Sequence, residues 1–136
     1  MKKIDDIQKL YAKYPKLFTK NCIQCHDGWL TIIDQMCSAI QVYIDNEIYD
    51  KKIQPEIIYV KEKFGVLDIE ITDGDEIVHL LKKSCERMSQ HICEMCGESG
   101  QLFCSSKHRN WSYFKTLCLD HAIEFFYYRL YKEQKY

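Results

Sequence analysis

Four residues near the C-terminal end carry a metal-binding pattern. Cys93-Glu94-Met95-Cys96 is followed, after 21 intervening residues, by Cys118-Leu119-Asp120-His121. Each pair leaves two residues between its ligands, a spacing that lets both reach one ion without straining the backbone. Three thiolates and an imidazole make a complete tetrahedral set for one Zn2+. Gly97 stands directly after the first pair, where a tight knuckle needs a residue free to take positive φ. Four protein ligands close the coordination sphere, so the site reads as structural. A rival set joins Cys93 and Cys96 to Cys104 and His108, but it leaves Cys118 and His121 idle at a helix start.

Other residues invite chemistry with less support. Cys22-Ile23-Gln24-Cys25 is a second Cys-x-x-Cys and a candidate half-site for a second metal. Its available partners, Cys37 and Cys85, lie on the apolar faces of predicted helices, where a buried free thiol is the ordinary occupant. A redox Cys-x-x-Cys needs a strand before it and a helix beginning at it. Here the helix begins later, near Gly28-Trp29. Lys107, His108, Arg109 and Lys115 are candidate nucleic-acid contacts, although Ser105 to Asn110 reads equally as a polar hairpin tip. A treble-clef nuclease needs a histidine base and further metal-binding histidines or aspartates. His121 is better used on zinc, and no His-His or Asp-His pair precedes the hairpin. His79 reads as a helix-surface residue and His91 as a cap beside the knuckle. No glycine-rich phosphate loop, Ser-His-Asp pattern or carboxylate pair stands out.

The elements that must position these residues follow from apolar periodicity. A helix is predicted over Ile4 to Tyr14, with Ile7, Leu10, Tyr11 and Tyr14 on one side and Pro15 ending it. A second runs from Trp29 to about Asn46, with Ile33, Met36, Cys37, Ile40 and Ile44 on one face. Ile57 to Glu62 and Val66 to Thr72 alternate as strands, linked at Lys63-Phe64-Gly65 as a hairpin. Ile58, Val60, Leu67, Ile69 and Ile71 are expected inside, and Lys61, Asp68 and Glu70 outside. Thr72-Asp73-Gly74-Asp75 forms a turn with a helix N-cap. The helix to Gln90 then aligns Ile77, Leu81, Ser84, Cys85 and Met88. A last helix is predicted from Leu119 to Glu133, with aromatic residues on several sides. Tyr127, Leu130 and Tyr131 on it form a candidate partner surface, for a second copy or a host protein. The alternative is that the N-terminal helix covers them.

The predicted fold is α+β: a β-hairpin packed with helices over 1–90, then a treble-clef-like zinc segment with a C-terminal helix over 91–136, together one compact domain. The chain has 136 residues, with 19 basic and 20 acidic side chains and a net charge of -1. That balance argues against a protein held to nucleic acid mainly through phosphates. Eight cysteines behind the start Met-Lys-Lys-Ile-Asp-Asp, with no apolar signal segment, predict ligands or buried thiols in a reducing cytoplasm. No apolar run is long enough to cross a bilayer.

Three stretches carry a resemblance: Cys25-His26-Asp27-Gly28-Trp29 with Ile33-Asp34 and Cys37; Val60-Lys61-Glu62-Lys63-Phe64-Gly65-Val66-Leu67; and Cys93 to Gly97 through Thr116 to His121. In this order, over roughly residues 14 to 122, the chain resembles a family of small uncharacterised bacteriophage and prophage proteins. The family pattern has glycine where this chain has His26, and a shorter tip than Phe103 to Asn110. The resemblance implies a phage source and a zinc fold, not a reaction. The expected function is a non-catalytic binding protein in the cytoplasm of a bacterial host. Its target would be a host macromolecule or signalling ligand, and its effect to counter defence. A nucleic-acid-binding regulator is the alternative, and a metal-dependent nuclease the third reading.

Overall fold

The computed structural model describes residues 2–104, 114–125 and 129–130, with side chains for 6–104 and 114–125. Helix α1 (Lys2–Lys13) lays Leu10 on the core, with Ile7 and Tyr11 half-buried beside it and Tyr14 buried just past its end. The Tyr11 hydroxyl accepts the backbone N–H groups of Cys22 and Ile23 at 3.0 and 2.9 Å, and so satisfies the start of β1 (Ile23–Gln24). One 3-10 turn, Asp27–Trp29, leads into α2 (Leu30–Ile44). This helix buries Ile32, Ile33, Met36, Cys37, Ile40 and Ile44 at helical spacing.

Strands β2 (Glu56–Lys63) and β3 (Val66–Thr72) form the expected antiparallel hairpin, and β1 adds to it in parallel through Ile23 opposite Val60. Lys63 pairs with Val66, so the link is the two residues Phe64 and Gly65, with φ of +54° and +86°. Two successive positive φ values match the right-handed twist of a tight hairpin. The inward set differs from expectation on one strand. Ile57 and Val60 are fully buried, whereas Ile58 is only half-buried, because a bulge between Ile57 and Tyr59 shifts the register. An extra residue reverses the alternation, and period-two reading cannot see it.

Helix α3 (Glu76–Ser89) begins at Asp75, whose carboxylate accepts the Val78 N–H at 3.1 Å, as the cap predicted. Its buried face is Val78, Cys85 and Ser89, with Leu81 packed alongside, while Ile77 and Met88 are exposed. The predicted stripe is therefore rotated. The cause is the free edge of β3, whose backbone groups need partners. Ser89 Oγ accepts the Leu67 N–H at 3.0 Å, Glu86 accepts that of Ile69 at 2.9 Å, and Lys82 Nζ donates to the Ile69 carbonyl at 3.2 Å.

The C-terminal part is a second small sheet, ordered β5-β4-β6, built from β4 (Gln101–Cys104), β5 (Phe114–Leu117) and β6 (Arg129–Leu130). Between β5 and β6 lies α4 (Leu119–Glu124). The helix predicted to reach Glu133 thus ends nine residues early, and Leu130 stands in a strand opposite Phe103. Phe and Tyr are mediocre helix formers and good strand formers, and β4 offers an edge to pair with. Of the predicted partner surface, Tyr127 and Tyr131 lie outside the described residues. The architecture is α+β, as expected. No described helix is long and apolar enough to cross a membrane.

Candidate metal centre

The ligand atoms of Cys93, Cys96, Cys118 and His121 all lie within 4.8 Å of one another. Cys93 follows α3 in a turn that Gly97 closes: the Gly97 N–H donates to the Cys93 carbonyl at 2.9 Å, and Gly97 has φ of +84°. The Cys93 N–H donates to the Glu98 carbonyl at 2.7 Å. Cys118 is the N-cap of α4, and its sulfur accepts the His121 N–H at 3.5 Å. Knuckle, hairpin and a helix whose first turn brings the last two ligands are the parts the spacing predicted.

The distances test whether zinc fits. Bonds of about 2.3 Å to sulfur and 2.0–2.1 Å to nitrogen, placed tetrahedrally, require S···S of about 3.8 Å and S···N of about 3.6 Å. Cys96 Sγ to Cys118 Sγ is 3.8 Å, and Cys93 Sγ to His121 Nδ1 is 3.6 Å. Cys118 Sγ to His121 Nδ1 is shorter, at 3.2 Å. Two of these separations equal zinc tetrahedron edges and one is shorter, and all four atoms stay within 4.8 Å of one another, so the set can close on one ion. The His121 ring also stacks on Phe125, with centroids 5.8 Å apart.

The electrostatics favour a cation. Burial pushes the Cys93 thiol up, but backbone N–H groups of Cys118, Cys96 and Met95 outweigh it and hold the thiol below its ordinary value. Cys96 is pushed up to about 11, first by desolvation and then by the Cys93 and Cys118 thiols, against the Glu98 N–H. The Cys93 thiolate forms readily and the Cys96 thiol resists, which is the state a divalent ion relieves.

The knuckle is fixed to the helical core through residues the sequence did not single out for this role. Gly28 N–H donates to the Glu94 carbonyl at 2.7 Å, and Trp29 Nε1 donates to the Ile92 carbonyl at 2.8 Å. Glu94, 1% exposed, accepts the His26 N–H at 3.3 Å and pairs with Lys115 at 3.4 Å. Lys115 also pairs with Glu62 at 3.4 Å. Burial would lower the Lys115 ammonium's pKa, but Glu94 and Glu62 outweigh it and hold it above the ordinary value. Thr116 Oγ1 donates to the Gly65 carbonyl at 2.6 Å, which seats the hairpin link on β5. The Asp27–Trp29 turn and the hairpin link thus rest against the two segments that carry the candidate ligands.

The remaining candidates separate. Cys104 of the rival set is buried in β4, and His108 lies outside the described residues, as do Lys107 and Arg109. Cys22 and Cys25 are buried, and among the described residues no third ligand type joins them in a metal-sized cluster. Cys22 Sγ donates to the Ile57 carbonyl at 3.7 Å, and burial pushes its thiol up to about 11. Cys37 and Cys85 are buried core thiols, as read. Only spatial contact could have revealed Glu94 and Gly28, since their partners are distant in sequence.

Fold and site together define an α+β protein with a Cys3His candidate metal centre at its second sheet. No family model, curated protein or solved structure matches the chain.

Proposed function

We propose that this chain is a non-catalytic binding protein whose C-terminal segment is held by one structural zinc ion. One observation supports the reading: the ligand atoms of three cysteines and one histidine converge within 4.8 Å of one another, as a single zinc ion needs. A sphere filled by protein leaves no position for an activated water or a substrate. The zinc thus shapes a surface instead of performing a reaction. The bacteriophage resemblance makes a host macromolecule or signalling ligand the target, met in the bacterial cytoplasm, with defence inhibition as the outcome. The nucleic-acid reading has less support, because Lys115, its one contact with a described side chain, is committed to Glu62 and Glu94.

Cobalt substitution tests the closed sphere. Co2+ in place of zinc should give the strong visible bands of a tetrahedral thiolate site, at about one ion per chain. Azide or thiocyanate should leave those bands unmoved. Bands that shift with added anion would reveal an open position and favour a catalytic site.

A further inference from the structure

We propose that Gly28 and Glu94 are positioning residues for the metal: the Asp27–Trp29 turn is a wall against which the knuckle takes its metal-ready shape. The proposal rests on the one-zinc reading. Neither residue is a ligand, and Gly28 belongs to the helical core. A Cβ on Gly28 would stand 2.1 Å from the Cys93 carbonyl oxygen and 2.5 Å from the Glu94 carbonyl. The Cys93 carbonyl is the one that accepts the Gly97 N–H and closes the knuckle. A methyl at position 28 therefore presses on the bond that sets the distance between Cys93 and Cys96.

Glu94 acts from inside the knuckle. Its backbone carbonyl takes the Gly28 N–H, one carboxylate oxygen takes the His26 N–H, and the other takes the Lys115 ammonium. Lys115 lies on β5, three residues before Cys118. One buried side chain thus ties the first ligand pair both to the core turn and to the strand that delivers the second pair. Supporting residues that orient ligands commonly change metal affinity by about 10–100-fold. The coupling is also reciprocal, so whatever the turn does for the metal, the metal does for the turn.

The test is zinc affinity of the full chain, measured by competition with a chromophoric chelator, beside the Co2+ spectrum. Gly28→Ala should weaken zinc at least tenfold. Glu94→Gln keeps an acceptor for His26 but loses the charge on Lys115, so it should weaken zinc by a smaller factor. Ile40→Val, which thins the same core away from the knuckle, should leave the affinity within about twofold. If Gly28→Ala does not fold, Trp29→Phe takes its place, removing the indole bond to Ile92. Hydrogen exchange of 26–30 should become faster on chelation in the wild type and should depend less on metal in either variant. Folded variants that bind zinc as tightly as the wild type would overturn the proposal, as would an equal loss in Ile40→Val. A wild type that takes up no zinc would instead overturn the one-zinc reading.

Discussion

Cys96 has a thiol less ready to ionise than that of Cys93 in the candidate metal site, at about 11 against 9.0 for an ordinary cysteine. Zinc must displace that proton at neutral pH, so binding should release protons and weaken as pH falls. Calorimetry of zinc uptake in two buffers of different ionisation heat would measure the number released. The core thiols have the opposite bearing on stability. Burial pushes Cys85 up to about 12 and Cys37 higher still, from an ordinary 9.0. Below pH 9 both folded and unfolded chains keep these protons, and the contribution is intact. From about 9 to about 12 the unfolded chain loses them while the folded chain does not, so stability falls as pH rises, by up to about 1.4 kcal/mol per thiol per pH unit. Urea midpoints at pH 8 and pH 10.5 should show the fall, and Cys85→Ala should reduce it. The four ligands were legible because their spacing is local to two short motifs. Glu94 was not: nothing local to Cys93–Cys96 marks it, and only its distant contacts with His26 and Lys115 explain why it is buried.

Among the elements, hairpin and α3 show where local rules suffice and where they stop. The Lys63-Phe64-Gly65 link was readable as a turn. Phe64, however, stands at φ +54° with its ring half exposed, a backbone region that costs a β-carbon residue roughly 1–2 kcal/mol. Phe64→Asn should raise stability by about 1 kcal/mol, visible as a higher urea midpoint at unchanged slope. The rotation of α3 depends on hydrogen bonds to β3 that no helical periodicity encodes. Ser89→Ala would leave the buried Leu67 N–H without its acceptor and should cost about 1–3 kcal/mol. The bulge at Ile57/Tyr59 and the pairing of β6 with β4 were unreadable for the same reason: each is decided by a neighbouring strand. The sequence around Arg129–Leu130 satisfies helix and strand patterns about equally, and the edge of β4 decides for the strand at these two residues.

For the whole molecule, the buried residues divide unequally. One large cluster joins α1, α2, α3 and the first sheet, while the second contains Cys93, Phe103, Leu117 and Ala122. Among the described side chains the second cluster is small, and an ion held by the Cys3His set would brace the sheet and helix around it. Chelation, or Cys93→Ser or Cys118→Ser, should abolish metal uptake and speed hydrogen exchange across 91–125. The helical far-UV signal of α1 to α3 should remain. Exchange that stays slow there without metal would show that packing alone sustains the second sheet. The side chains that α3 lends to β3 have a consequence between molecules. A bare strand border is a template on which another chain can add itself, and repetition of that step builds fibres. Ser89, Glu86 and Lys82 fill that template with groups no incoming strand can displace cheaply. Their joint replacement by alanine should therefore cost solubility as well as stability, with self-association that grows with concentration.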